Sequence, residues 1–197
     1  MPTPVTPPLV LASSSPYRRA LLNKLHIDYI AAAPAIEESP LPNETPKQLA
    51  LRLGIQKAQA LKSKYPNHLI IGSDQVAAYD NQLLGKPGNR INAVQQLQAM
   101  SGRTVVFYTS IAVYHSATDT SVSDCDKTTV YFKTLSNGQI ERYVDLDRPF
   151  DCAGSFKAEN LGIALFDKIE SEDPNALIGL PLIKLIALLE YFGRPVL

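Results

Sequence analysis

Apolar positions along the chain switch between short unbroken runs and helical spacing, and the switching predicts an α/β fold. Residues 9–12 and Leu69-Ile70-Ile71 are continuous apolar runs of strand length, as expected of strands covered on both faces. Residues 29–33 predict another short strand. Val76 to Tyr79 and Gln82 to Leu84 flank Asp80-Asn81 and predict a hairpin. Residues 103–115 and 121–135, rich in Val, Thr, Tyr and Phe, predict two long strands, and residues 163–166 a short one. Between these runs the period changes. Ser15 followed by Pro16 marks a helix start, and Ala20, Leu21 and Leu25 give that helix an apolar face. Thr45-Pro46-Lys47-Gln48 has capping-box spacing and opens a helix to about Lys62. Asn92 starts a helix that ends near Met100. A second capping box, Ser136 to Gln139, opens one through Val144. Leu182, Leu185, Ile186 and Leu189 recur at helical spacing in the last helix. A mixed sheet flanked by helices is the architecture this order predicts.

Length and composition narrow the classes. A chain of 197 residues with 45% hydrophobic content is one ordinary globular domain's worth of sequence. Four prolines in the first eight residues read as a flexible tail, residues 1–8, ahead of a single domain over residues 9–197. Nineteen basic and nineteen acidic residues leave no net charge, which argues against coating a nucleic-acid polymer but permits a local cation cluster for a small anion. Cys125 and Cys152 are too few for a disulfide scaffold and lack zinc spacing, so they read as free thiols. No apolar run reaches membrane-span length, and the N-terminus lacks a secretory pattern, so the expected location is cytoplasmic.

No common enzyme fingerprint is present; Gly85-Lys86-Pro87 has proline where a P-loop needs Ser or Thr. Six segments remain as candidates. Ser13-Ser14-Ser15-Pro16-Tyr17-Arg18-Arg19 lies at a strand-to-helix turn, where backbone N–H groups attract anions. Two arginines in a first turn oppose the helix dipole unless an anion binds there; otherwise the segment is a plain cap with solvated arginines. Asp74 follows a buried strand, where open α/β sheets place ligands, although an Asp there also serves as a turn residue. Lys86 reads as a cleft cation or as solvated surface, and Glu37-Glu38 as metal-holding carboxylates or a solvated loop. Residues 153–162 form a shaped loop with Lys157 and Glu159 two apart, or a simple connection. Asp173-Pro174-Asn175 and the stretch to Leu182 combine turn chemistry with an approach to the last helix.

Taken in order, SSSPYRRALL, Glu37-Glu38, Lys57, GSDQV, GKP, a Ser-Gly before the long strand pair, and DPNALIGLPL resemble the Maf family of nucleoside triphosphate pyrophosphatases across nearly the whole chain. The resemblance implies a single α/β domain with an elongated mixed sheet and a central nucleotide-binding cleft of the Maf/ITPase-like kind. It implies cleavage between the α- and β-phosphates with a divalent metal, Mg²⁺ or Mn²⁺. Asp74 matches the family's general base, and Glu38 and Asp74 are the expected metal carboxylates. Ser13, Arg18, Lys57, Lys86 and Lys157 are the expected phosphate contacts. Tyr17, Gln75 and Glu159 depart from the dTTP/UTP branch and match the branch that prefers 7-methyl-GTP. A carboxylate at 159 suits the adjacent N1–H and N2–H₂ donors of guanine, and Tyr17 suits a base made cationic by methylation. A dTTP/UTP pyrophosphatase and a non-catalytic nucleotide-binding regulator of cell division are the alternatives. The resemblance further implies a free nucleoside triphosphate as the partner, with no nucleic-acid polymer or membrane, and a homodimer for which the long strand pair offers an interface.

Overall fold

The computed structural model describes residues 7–80 and 82–197; residues 1–6 of the expected tail and Asn81 of the expected hairpin turn lie outside them. One strand organises the sheet. β6 (Thr104–His115) pairs along its whole length with β7 (Thr120–Phe132), which continues to β8 (Phe166–Glu170). The other edge of β6 is shared by two strands laid end to end, β3 (Leu69–Gly72) and β4 (Gln75–Tyr79). Gly72 faces Ala112 and Gln75 faces Thr109, so β3 and β4 keep one register, and Ser73 and Asp74 fall at their junction. Ser110 N–H donates to the Asp74 carbonyl at 2.8 Å and holds the junction on the ladder. Beyond it the sheet forks: β3 carries β1 (Leu9–Ala12) and then β2 (Ile30–Ala32), both parallel, while β4 carries β5 (Gln82–Leu84), antiparallel.

Side-chain alternation along β6 assigns the helices. On one face, α1 (Pro16–Asn23) and α5 (Leu182–Tyr191) bury Leu21, Leu22, Leu185 and Leu189 against Leu9, Leu11, Ile71, Ile111 and Val113. On the same face, α3 (Arg90–Met100) and α4 (Asn137–Asp147) build a second core with Val105, Phe107, Val130 and Phe156. Thr109 sits between the two cores on that face. The opposite face is covered by α2 (Pro46–Gln59), whose Leu49, Leu53 and Ala58 meet Val76, Ile70 and Tyr114.

The approach of α2 is set by two glycines. A Cβ on Gly72 would run into the Gly54 carbonyl oxygen and lie 2.7 Å from the Ala58 nitrogen. A Cβ on Gly54 would collide with Ser110 Oγ, the atom that accepts from Asp74 N–H at 3.0 Å. Both capping boxes form as expected, at Thr45 and Ser136. Other expectations shift: α4 runs past Val144 to Asp147, and β7 ends at Phe132, short of residue 135. Asn89, not Asn92, caps α3, by accepting from Asn92 N–H at 2.9 Å. α2 ends at Gln59, short of Lys62. The strand expected over 163–166 is instead a 3₁₀ turn, Leu161–Leu165, followed by β8, which starts at Phe166; Gly162 lies against the Lys157 backbone, where a Cβ would clash.

Two outcomes follow from this packing. Gly54→Ala costs about 1–3 kcal/mol in denaturant unfolding, because Ser110 Oγ can rotate away, and Gly72→Ala costs more, because backbone atoms cannot; equal costs contradict the account. Asp126 is fully buried, with Thr128 and Ser171 hydroxyls on Oδ1 and no partner for Oδ2. Burial raises its pKa against the pull of those hydroxyls. The unfolded carboxyl ionises near pH ~4, so stability is fully present below that pH and falls as pH rises through the folded value. The Tm of Asp126→Asn minus that of the parent therefore rises between pH 4 and 7; a flat difference contradicts the assignment.

Candidate active site

The fork places Asp74 at the base of a cleft of about 560 Å³, within the range typical of small-molecule sites. Asp74 is nearly buried. Its Oδ1 accepts from Lys57 Nζ at 2.5 Å, and the same ammonium lies 2.9 Å from Glu38 Oε1. Lys57 sits one turn after Gly54 on α2, so the glycine contact that seats the helix also delivers its ammonium to Asp74. Glu38 reaches in from an exposed loop with much of its side chain still in solvent.

The N-terminus of α1 forms a second wall. Ser15 caps the helix by accepting from Arg18 N–H at 3.4 Å, and Ser13 Oγ accepts from Ser15 N–H at 3.1 Å. Ser13 lines the cleft. Arg18 Nε donates to the Gly179 carbonyl at 2.8 Å, and Ser73 Oγ donates to the same oxygen at 3.1 Å. Gly179 has φ of +129°, so glycine is what lets this carbonyl face Arg18. Burial pulls the Arg18 guanidinium below its usual pKa while Asp74 and Glu38 pull it back up; it remains a cation. Arg19 instead folds back onto the Ser14 carbonyl and does not line the cleft.

A third wall comes from two loops near Tyr17. The Tyr17 hydroxyl donates to Asp151 Oδ2 at 3.4 Å, and Glu159 lies close enough for its charge to act on the phenol. Burial, Cys152 and Asp151 raise the Tyr17 pKa, so the phenol keeps its proton. The Cys152 thiol is pushed up to about 12, chiefly by burial, which leaves it no thiolate chemistry at neutral pH. Lys86 also lines the cleft, exposed beside Gly85 and ahead of the buried Pro87, on a loop whose Gly88 N–H donates to the Phe150 carbonyl at 3.0 Å. Gln96 ties the loops together: its Nε2 donates to the Gly85 carbonyl at 3.2 Å, and its Oε1 accepts from Ser155 Oγ at 2.5 Å.

Eight further expected residues thus gather with Asp74 in one cleft: Ser13, Tyr17, Arg18, Glu38, Lys57, Gln75, Lys86 and Glu159. Lys157 does not join them. Its Nζ donates to the Asp147 carbonyl at the end of α4, at 2.9 Å, while the neighbouring Ala158 and Glu159 face the cleft. Gln75 lines the cleft but spends its amide donors on the Thr109 hydroxyl and the Ala176 and Leu177 carbonyls, all at 3.0 Å, which pins the 173–179 loop over the gap between the two cores. Sequence reasoning missed Ser73, Gln96, Asp151 and Gly179. Of these, Ser73, inside GSDQV, and Gly179, inside DPNALIGLPL, stood in motifs already singled out.

The charges show what the cleft accepts. Three cations, Arg18, Lys57 and Lys86, face four carboxylates, Glu38, Asp74, Asp151 and Glu159. A polyphosphate is therefore not neutralised by the protein alone. Glu38 and Asp74 are two oxygen donors on either side of one ammonium, and no cluster of three or more potential ligands occurs among the described residues. That set fits a hard divalent cation held jointly with phosphate oxygens and water, the usual mode for Mg²⁺. Among the described residues no helix is long and apolar enough to cross a membrane.

The chain is similar to several known proteins. The 7-methyl-GTP pyrophosphatase of Alcanivorax borkumensis is 54% identical over 191 residues, covering 97% of each chain. That of Vibrio vulnificus is 53% identical over 189 residues, covering 96% of this chain and 97% of its own. The Staphylococcus aureus Ham1 protein shares the fold, with a TM-score of 0.53 at 13% identity over 93% of this chain and 98% of that one. The family model described as Maf-like protein matches residues 8–192, and this chain belongs to that family.

Proposed function

We propose that this protein hydrolyses 7-methyl-GTP between its α- and β-phosphates, giving 7-methyl-GMP and pyrophosphate. The observation that carries the reading is the joining, in one cleft, of the Lys57–Asp74 pair with Tyr17 and Glu159, in a chain more than half identical to proteins named for that reaction. Lys57 occupies Asp74 Oδ1, which orients the carboxylate and leaves Oδ2 to accept the proton of the water that attacks the α-phosphorus. Arg18, fixed by Gly179, and Lys86 are suited to hold phosphate oxygens while charge moves onto the departing pyrophosphate. Ser13 and the N–H groups at the start of α1 add neutral donors to the same anion.

A divalent cation held by Glu38 and Asp74 would polarise the phosphate oxygens and make the bound water more acidic. Its support is the charge count: a triphosphate brings about four negative charges to a cleft whose own carboxylates outnumber its cations. The base is assigned to the Tyr17 side, with Glu159 accepting from N1–H and N2–H₂. Gln75 is assigned an indirect part, because its amide is committed to the 173–179 loop. A house-cleaning hydrolase acting on free nucleotides in the cytoplasm is the setting that fits this substrate.

Pyrophosphate release from 7-methyl-GTP, GTP, dTTP, UTP and CTP tests the reading. The expected result is selective cleavage of 7-methyl-GTP, abolished by a chelator and restored by Mg²⁺ or Mn²⁺. Asp74→Asn is expected to lower kcat by about 10²–10⁴ with nucleotide binding retained. Preference for dTTP or UTP would overturn the substrate, and hydrolysis by Asp74→Asn at the parent rate would overturn the assigned base.

A further inference from the structure

The charged residues of the cleft separate into two groups, and the second holds an exposed carboxylate, Asp151, that makes no ion pair among the described residues. Arg18 responds to Asp74 and Glu38, and Lys57 bonds to both, so cations and acids are matched at the fork. Around Tyr17 the balance differs. Asp151 and Glu159 both act on the Tyr17 phenol. Asp151 accepts only from neutral donors among the described residues, the Tyr17 hydroxyl at 3.4 Å and the Cys152 thiol at 3.5 Å. Both contacts are long and weak. The cation nearest in sequence to Glu159, Lys157, turns away to the Asp147 carbonyl. One end of the cleft therefore holds ion-paired cations, and the carboxylates at the other, Asp151 and Glu159, make no ion pair among the described residues.

That polarity matches a ligand that is anionic at one end and cationic at the other. We infer that Asp151 is a second base-selecting carboxylate, which attracts the positive charge that N7-methylation places on guanine while Glu159 accepts the ring's N–H donors. The inference rests on the substrate proposed above and adds a residue and a division of labour to it. Glu159 distinguishes guanine from pyrimidines by hydrogen bonding, which plain guanine also offers. Asp151 distinguishes methylated from unmethylated guanine by charge, because only the methylated ring carries a positive charge opposite it.

The test is the ratio of kcat/KM for 7-methyl-GTP to that for GTP, in parent, Asp151→Asn, Asp151→Glu and Tyr17→Phe proteins with Mg²⁺. Asp151→Asn is expected to lower the ratio about tenfold, the size of one partly screened charge contact. Asp151→Glu keeps the charge and is expected to hold the ratio within about threefold of the parent, which separates loss of charge from loss of packing. Raising the salt from 0.05 to 0.5 M narrows the gap between parent and Asp151→Asn, because screening weakens the contact. Equal losses on both nucleotides, or an unchanged ratio, in Asp151→Asn overturn the inference while leaving the substrate intact. A parent protein with no preference for 7-methyl-GTP over GTP overturns the substrate reading itself, and this inference with it. Tyr17→Phe is expected to retain a charge preference that Asp151→Asn then removes; a preference already lost in Tyr17→Phe assigns the selection to the hydroxyl and overturns the part given to Asp151.

Discussion

The close seating of α2 on β3 is the constraint on which the rest of the site depends. Gly72 admits the Gly54 carbonyl and the Ala58 nitrogen into space that any side chain would fill. Gly54 in turn leaves room for the Ser110 hydroxyl, which holds the Asp74 backbone. With the helix this close, Lys57 delivers its ammonium to Asp74 from one turn further along. A larger separation would leave a nearly buried carboxylate and a buried ammonium without each other, a costly arrangement for either charge. Packing and electrostatics are thus one requirement here: the glycines set the distance, and the ion pair needs it.

The second consequence of the junction is the cleft. β3 and β4 share one edge of β6 in a single register, yet their outer neighbours differ, parallel β1 on one side and antiparallel β5 on the other. The sheet opens where the neighbours change, and ligands of open α/β sheets bind at such openings. The two cores on the α1/α5 face separate at the same place, over Thr109, where Gln75 and Thr109 together hold the Ala176 carbonyl. The opening is framed by rigid elements, and its loops are tied to them by Gln96 and by the Gly179 carbonyl.

Much of this was legible in the sequence, for physical reasons that differ by residue. Continuous apolar runs marked β1 and β3 because strands covered on both faces need apolar side chains throughout. Thr45 and Ser136 marked helix starts because capping chemistry is local. Asp74, Arg18, Lys57 and Glu38 were readable because they lie within ordered motifs, though the bond between Lys57 and Asp74 links residues 17 apart through a helix seat that spacing alone does not give. Lys157 illustrates the limit: it neighbours residues that face the cleft, and the direction of its ammonium is fixed by the end of α4. The apolar run over 163–166 did not reveal that its first residues turn as a 3₁₀ helix and that the strand starts only at Phe166, because a short apolar run fits either. Asp151 could not be singled out at all, because its bond to the Tyr17 hydroxyl joins residues 134 apart in the chain.

On the proposed function, the cleft's Asp74 serves as base at the fork, its cations hold a polyphosphate and its carboxylates by Tyr17 meet a charged ring. Its central claim concerns where water attacks. Hydrolysis of 7-methyl-GTP in ¹⁸O-labelled water, with both products analysed by mass spectrometry, tests that most directly. Attack at the α-phosphorus beside Asp74 predicts one ¹⁸O in 7-methyl-GMP and none in pyrophosphate. Label in the pyrophosphate, or orthophosphate as the first product, would contradict the account.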